Sequence, residues 1–316
     1  MESFITNNKK ALIAAPVHPV LLDGLAQAGY ECIIHEKITQ DAAFELIGDC
    51  EGVITSTRIQ LDKALIDAAP NLRWIGRMGS GMEVIDLEYA MAKGIDCYGS
   101  PEGNCNAVGE HALGMLLSLI RRISWSNAEV KQGLWYREEN RGIELEGKTI
   151  GIVGFGHTGR AFAKKLSGFD LRILAYDKYN QVQEPTDLVT SASIEQIFEE
   201  ADIVSFHVPL QADTVHYFNR EFISLMRKPF ILINTSRGVV VDTEALYEGI
   251  MTGKIIGACL DVFEQEPITA MRKDLQCLMN ELLALPQVVV TPHIAGYTFE
   301  ALYKMSKALL TKIIPV

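Results

Sequence analysis

Apolar residues recur along this chain in two alternating patterns. Short continuous runs bounded by turn residues read as buried strands. Between them, apolar positions fall three or four apart, the spacing of one helix face. In the first hundred residues the predicted strands are 11–17, 32–35, 53–56, 72–77 and 95–98, with helices over 20–28 and 42–47. A second series begins at Lys148, with strands 150–153, 172–176, 203–206, 230–233, 255–260 and 288–290. A long helical pattern from Ala107 to about Lys131 separates the two series, and another, 298–313, follows the last strand. Strand–helix alternation of this kind builds βαβ units around a parallel sheet.

The pattern predicts an α/β protein of two doubly wound parallel-sheet domains, Rossmann-like or flavodoxin-like, with a cleft between them. The final helix has no strand of its own to cover, so it is expected to return to the first domain. The boundaries are then 1–104 plus 297–316 for a substrate domain and 105–296 for a dinucleotide-binding domain. Two crossings, near Asn104 and Gly296, predict hinge closure over a substrate.

Composition narrows the partners. At 316 residues, two domains are the natural expectation. A formal net charge of −11 argues against nucleic acid or an anionic membrane, since both call for a basic surface. The most apolar stretch, 107–120, carries Glu110 and His111 and ends at Arg121-Arg122. It falls short of the roughly 20 apolar residues that span a bilayer and reads as a buried helix. The first ten residues lack the apolar core of a signal peptide. The six cysteines are scattered, mostly in apolar runs and never as C-x-x-C. They read as reduced residues of a cytoplasmic protein, with no disulfide framework and no metal site.

The strongest local motif is Gly154-Phe155-Gly156-His157-Thr158-Gly159. It follows the apolar run Ile150-Gly151-Ile152-Val153 and opens a helical pattern containing Ala161, Phe162 and Leu166. That context makes it a dinucleotide fingerprint. Gly154 allows the tight turn, Gly156 lets backbone approach a pyrophosphate, and Gly159 lets helix and strand come close. His157 and Thr158 belong to the same phosphate-facing turn, where helix N–H groups favour an anion. Asp177, 23 residues after Gly154, ends the next strand. An acid there accepts from ribose hydroxyls and repels a 2′-phosphate, which favours NAD over NADP. The adjoining Lys178 weakens that preference.

Further ordered blocks carry a family resemblance. They are His207-Val208-Pro209-Leu210 with Thr214, Ile233-Asn234-Thr235-Ser236-Arg237-Gly238, the run Leu260-Asp261-Val262-Phe263-Glu264-Gln265-Glu266-Pro267, and Thr291-Pro292-His293-Ile294-Ala295-Gly296. Upstream stand Gly79-Ser80-Gly81-Met82-Glu83-Val84-Ile85-Asp86 and Asn104-Cys105-Asn106-Ala107-Val108-Gly109-Glu110-His111. Across nearly its whole length the chain resembles the D-isomer-specific 2-hydroxyacid dehydrogenases. Within that family it is most similar to the short-type D-3-phosphoglycerate dehydrogenases, chiefly over 101–168.

The resemblance implies hydride transfer between NAD(H) and a small 2-hydroxy or 2-keto acid. The chemistry needs a cation for the carboxylate and carbonyl, a general acid for the forming alkoxide, and a partner for that acid. Arg237 suits the first role, because its planar fork pairs bidentately with a carboxylate. His293, just past a strand end, suits the second. Glu266 suits the third and is preferred over Glu264, because the family's glutamate directly precedes the proline. The resemblance also implies that Asp261 meets the nicotinamide carboxamide, that Thr235 contacts the cofactor, and that His207, Pro209 and Thr214 line the adenosine side. Backbone amides of Ser80 and Gly81 would take the substrate carboxylate.

One departure touches the substrate. Where D-3-phosphoglycerate dehydrogenases commonly place an arginine for the substrate phosphate, this chain has Ser56, followed by Thr57 and Arg58. The resemblance puts D-3-phosphoglycerate and phosphohydroxypyruvate first, with Arg58 taking that role; the alternative is an unphosphorylated acid such as hydroxypyruvate or glyoxylate. The sequence ends at Val316, so no C-terminal regulatory domain for serine feedback is expected. The resemblance also implies a homodimer built on the apolar helix after Ala107. A reading of another class is an NAD-sensing, corepressor-like binding protein that keeps the same residues.

Overall fold

The computed structural model describes residues 9–180, 182 and 188–315; residues 1–8, on which most of the signal-peptide reading falls, lie outside the described residues. The chain divides into two compact units, Met1–Asn104 with Tyr297–Val316, and Cys105–Gly296.

The first unit has five strands: β1 (Lys9–Ile13), β2 (Tyr30–Ile34), β3 (Gly52–Thr55), β4 (Trp74–Arg77) and β5 (Asp96–Tyr98). All pair in parallel, in the order β2-β1-β3-β4-β5. That is the flavodoxin-like order, whose switch point lies between β1 and β3. The connecting helices are α1 (Pro19–Gln27), α2 (Gln40–Leu46), α3 (Lys63–Asp67) and α4 (Leu87–Ala92). Each has a side-chain N-cap, from His18, Thr39, Asp62 and Asp86 in turn.

Strand alternation sends Leu12, Val53 and Ile75 to one core layer and Ile13, Ile54 and Trp74 to the other. The second layer is closed by α1 and the C-terminal helix Phe299–Ile313, through Leu21, Leu25 and Leu309. Gly24 makes this approach feasible, since a Cβ there would lie 2.3 Å from Leu310 Cδ2. The first strand stops at Ile13, short of the predicted 17, because Pro16 cannot donate to a ladder.

The second unit has seven parallel strands: β6 (Thr149–Val153), β7 (Arg172–Tyr176), β8 (Val189–Ser191), β9 (Ile203–Phe206), β10 (Phe230–Asn234), β11 (Ile255–Leu260) and β12 (Val288–Val290). Their order is β12-β11-β10-β9-β6-β7-β8, so the strand order, not the strand direction, reverses between β6 and β9. This is the doubly wound dinucleotide-binding arrangement, in which ligands bind beyond the strand ends at that reversal. Core layers on the two faces are centred on Phe206, Phe218 and Leu232, and on Ile152, Phe162 and Ile233.

Two differences from the sequence reading stand out. The helical pattern placed at 107–131 is two helices, α5 (Pro101–Ile120) and α6 (Ile123–Lys131). It starts earlier because Pro101 fits a first helical turn, and it breaks where Arg122 takes a left-handed φ of 52°. Strand β8 was not anticipated, as only three edge residues carry it. The remaining helices are α7 (His157–Lys165), α8 (Ile194–Glu200), α9 (Arg220–Leu225), α10 (Thr243–Met251) and α11 (Lys273–Leu283). Among the described residues no helix is long and apolar enough to cross a membrane, and no group of three His, Cys, Asp or Glu could hold a metal ion. All six cysteines are free.

Candidate active site

The glycine motif is the turn from β6 into α7. Gly154 has φ +91°, and a Cβ on it would fall 2.6 Å from the carbonyl oxygen of His207. The loops after β6 and β9 are thus held in close contact at the sheet's switch point. Gly159 is equally constrained, 2.2 Å from the Gly154 oxygen by the same measure. Gly156 differs: a Cβ there would meet nothing within 4 Å. Open space above the helix N-terminus, with His157 exposed and Thr158 half-buried beside it, forms a cradle that fits a pyrophosphate.

Asp177 follows β7 and reaches back to this turn. Its Oδ2 accepts the Phe155 N–H at 2.9 Å, and its Oδ1 accepts those of Asn180 at 2.9 Å and Tyr179 at 3.1 Å. Burial pushes its carboxyl up, but these amides outweigh burial and hold it below the usual carboxylate range. It is therefore a fixed acceptor, suited to ribose hydroxyls. The neighbouring Lys178 is engaged by Asp213, which also accepts from the Tyr179 hydroxyl at 2.7 Å.

The loop after β9 corrects part of the sequence reading. His207 turns its ring inward, its Nε2 2.8 Å from Ser205 Oγ and its ring centroid 5.4 Å from that of Phe162. Burial pushes its imidazole down to about 3, so it is neutral. What it offers the site is its backbone, against Gly154. Thr214 is buried too. Its hydroxyl donates to the Pro209 carbonyl at 2.8 Å and accepts from the Gln211 N–H at 2.8 Å, which folds the loop and leaves Pro209 exposed. Thr235, after β10, carries a buried hydroxyl with no hydrogen-bond partner among the described residues. An orphaned polar atom at a strand end fits a ligand contact.

Arg237, Glu266 and His293 come from three turns, after β10, β11 and β12. Asn234 shapes the first: its Oδ1 accepts from Ser236 N–H at 3.1 Å and Ser236 Oγ at 2.8 Å, and its Nδ2 donates to the Arg237 carbonyl at 2.9 Å. Gly238 is obligatory next to it, since a Cβ there would lie 1.7 Å from the Phe263 oxygen. Glu266 accepts the Phe263 N–H on Oε1 at 2.9 Å and meets His293 Nδ1 through Oε2 at 2.7 Å. An ionised carboxylate only accepts, so Nδ1 carries the hydrogen and Nε2 is left to exchange a proton. The Glu266 hydrogen bond outweighs burial and Arg237's charge, and raises the His293 imidazole above its ordinary value. Burial pushes Glu266 up, but the His293 ring and the Phe263 amide outweigh it and hold the carboxyl low. Glu264, the rival, is committed to His216 Nε2 at 2.5 Å and to the Thr243 hydroxyl at 2.9 Å.

Asp261 is only 1% exposed and lies behind the His293 turn. Its Oδ1 accepts Thr291 Oγ1 at 2.5 Å and Ile294 N–H at 2.9 Å, and its Oδ2 accepts Ala295 N–H at 2.8 Å. Of about four lone-pair sites, these donors leave one, on Oδ2, for a carboxamide. The sequence reading had given it the carboxamide alone, without this task of holding the turn. It also assigned no role to Thr291 or His111, whose Nε2 lies 2.9 Å from Thr291 Oγ1. Both stood inside quoted motifs, and the signal was a histidine within the otherwise apolar stretch 107–120.

The first unit's loops are built differently. Ser56 is half-buried at the end of β3 and Arg58 is exposed two residues on. Two residues past the adjacent strand β4, Gly79 takes φ +140°, its N–H donating to Ser100 Oγ at 2.9 Å and its carbonyl accepting from Ser100 N–H at 2.8 Å. A Cβ there would strike Arg77 Nη1 at 1.5 Å. Ser80 is exposed and Gly81 buried. Arg77, a cation at this edge, was passed over by the motif reading.

Comparison with known proteins gives this geometry a context. The family described as D-isomer specific 2-hydroxyacid dehydrogenase, NAD binding domain, matches residues 113–295. Hydroxypyruvate reductase of Thermotoga maritima is 36% identical over 282 residues, which cover 89% of this chain and 89% of that protein. D-3-phosphoglycerate dehydrogenase of Methanocaldococcus jannaschii is 36% identical over 294 residues, covering 92% of this chain but 54% of that protein. The structure of D-lactate dehydrogenase from Aquifex aeolicus, complexed with NAD and lactic acid, is similar with a TM-score of 0.81 at 29% identity, covering 96% of this chain and 94% of that one.

Proposed function

This chain belongs to the D-isomer-specific 2-hydroxyacid dehydrogenases, NAD(P)-dependent oxidoreductases acting on the CH–OH of a 2-hydroxy acid, and we propose that it reduces a small unphosphorylated 2-keto acid of the hydroxypyruvate class. The observation that carries the reading of the reaction is the 2.7 Å contact between His293 Nδ1 and Glu266 Oε2, with Arg237's charge acting on both.

In this reading Arg237 binds the substrate carboxylate and polarises the 2-keto oxygen. Nε2 of His293 gives its proton to that oxygen as it gains charge, and takes it back in oxidation. Glu266 keeps the ring charged and oriented while it waits. The cofactor, when bound, supplies or accepts the hydride. The residues that would hold it are Gly154, Gly156, His157, Thr158 and Gly159 at the pyrophosphate, Asp177 at the ribose, Pro209 at the adenosine side, and Thr235 with the free site of Asp261 toward the nicotinamide.

The sequence reading put D-3-phosphoglycerate first. Ser56 weighs against it, because a short neutral hydroxyl supplies no charge to a phosphate. The exposed Arg58 supports the phosphorylated acid as the second reading. Backbone amides of Ser80 and Gly81 are proposed to take the carboxylate in either case.

NADH and NADPH oxidation against hydroxypyruvate, glyoxylate, pyruvate and phosphohydroxypyruvate tests both. Turnover is expected to be highest with hydroxypyruvate or glyoxylate. A phosphohydroxypyruvate preference would overturn the substrate, and no turnover with any acid would overturn the reaction in favour of an NAD-sensing binding protein. His293→Ala should cut kcat by about a hundredfold or more. Exposed Ile123, Val130, Leu134 and Trp135, on and after α6, support a homodimer, which sedimentation would test.

A further inference from the structure

His293 sits on a strained turn. Its φ is 56°, a left-handed conformation that strains a non-glycine residue and persists only where surrounding contacts enforce it. Asp261 supplies most of that enforcement. Its carbonyl accepts the His293 N–H at 2.8 Å, and its carboxylate accepts the next two amides, of Ile294 and Ala295. A carboxylate this deeply buried must itself be held and balanced.

Two side chains complete the holding. Thr291 Oγ1 is 2.5 Å from Asp261 Oδ1, and His111 Nε2 is 2.9 Å from Thr291 Oγ1 and 3.6 Å from Asp261 Oδ1. Counting hydrogens fixes the direction. The carboxylate has none to give, so the single Thr291 hydroxyl hydrogen goes to Asp261. The hydroxyl oxygen can then only accept, so His111 Nε2 carries the hydrogen between them. The order is His111 Nε2–H to Thr291 Oγ1–H to Asp261 Oδ1. Nothing in the core calls for a histidine here: Ala112, Met115 and Leu116 already supply the apolar contacts of α5.

We propose that His111 is a positioning residue for the general acid, holding the His293 turn through Thr291 and Asp261. The proposal rests on the reading of His293 as that acid. Removing the donor leaves the Thr291 oxygen unsatisfied, frees its hydroxyl to rotate, and loosens the carboxylate that clamps the turn.

The test is a double-mutant cycle with rescue, run on the full chain. His111→Leu and Thr291→Val should each lower kcat by about five- to tenfold, the loss of one buried hydrogen bond. NADH affinity, read by fluorescence quenching, should change by less than about threefold. The double variant should be no worse than Thr291→Val alone, because both break one chain. His111→Gln, which can present an N–H, and Thr291→Ser should each recover most of the activity. A second readout avoids turnover. In the protein without substrate, proton NMR should show the His293 imidazole titrating at lower pH in His111→Leu, since a looser turn weakens its bond to Glu266. The groups acting on that ring are Glu266, Asp261 and Arg237, all unaltered by the substitution.

Additive effects of the two substitutions, or an unchanged kcat and His293 titration in His111→Leu, would overturn the proposal. If His111→Leu fails to fold, Thr291→Val and Thr291→Ser decide the matter: equal activity in the two would overturn it, and recovery in the serine variant alone would support it. Full activity of His293→Ala would instead defeat the underlying reading of the acid, a distinct outcome.

Discussion

At the end of the seven-stranded sheet, functional side chains hold one another. Glu266 binds His293, Asn234 frames Arg237, and Asp261 clamps the His293 turn. At the end of the five-stranded sheet, the corresponding loops are tied mainly through their backbone: Ser100 binds Gly79 and the Gln40 amide binds Gln60, while Ser80 and Arg58 are exposed. The first region is a set of mutually determined groups in which each member has one position. The second leaves its tips open to change. Under the proposed function, the reaction would be kept in one region and selectivity in the other, so substrate could change without disturbing proton transfer.

The sharpest way to break the first region is at its glycines. In Gly154→Ala the new Cβ would sit 2.6 Å from the His207 carbonyl oxygen, on a residue with φ +91°. Both faults act together, at about 2 kcal/mol or more. The expected outcome is a melting temperature lower by about 5 °C and NADH binding weakened by about a hundredfold, measured by thermal denaturation and titration calorimetry. Gly156→Ala is the internal control: its Cβ meets no protein atom, so stability should hold while NADH binding falls.

Glu266→Gln separates the charge of the pair from its shape. Glu266 raises the His293 imidazole, so in the proposed mechanism reduction, which draws on the imidazolium, persists below that raised value and is lost as pH rises through it. With glutamine the imidazole returns toward its ordinary value. The alkaline limb of kcat should then move to lower pH, with a loss of about tenfold at pH 8 and far less at pH 6. An unshifted limb would mean that His293 is not the group being titrated.

Asp177→Ala is a smaller break. It removes the acceptor of the Phe155 amide in the glycine turn and the acid proposed to meet the ribose. NADH affinity should fall by about tenfold, and NADPH affinity by less, since the same carboxylate repels a 2′-phosphate. Equal losses with both cofactors would show that only the turn was being supported.

The same contrast explains what could be read from the chain alone. Strands β7, β9, β11 and β12 were bounded to the residue, because continuous apolar runs have one way to be buried. The glycine motif was legible because Gly154 and Gly159 each answer a separate steric demand of the turn, while Gly156 keeps the space above the helix end open. Glu266 could be chosen over Glu264 only by family resemblance; in space, the His216 and Thr243 contacts of Glu264 separate the two. The inward turn of His207 and the holding role of Asp261 were hidden for a common reason. Both depend on partners brought together by tertiary contacts, as when α5 carries His111 to a turn 180 residues away in sequence. Helix α5 was misjudged at its end, where Arg122 breaks it without a glycine or proline to announce the break.

The mildest prediction tests whether the second region is as open as it looks. Ser56→Arg places a cation at the end of β3, on a loop whose next residues, Thr57 and Arg58, are exposed. Such a half-exposed charge is worth about 1 kcal/mol to a phosphate, so kcat/KM for phosphohydroxypyruvate relative to hydroxypyruvate should rise by about fivefold. The His293–Glu266 pair lies in the other unit and is untouched, so the pH at which kcat falls should stay where it is in the parent protein. A moved alkaline limb would show that the two regions are coupled. An unchanged substrate ratio, followed by loss of residual phosphohydroxypyruvate turnover in Arg58→Ala, would assign the phosphate to Arg58 and restore the phosphorylated acid as the better substrate.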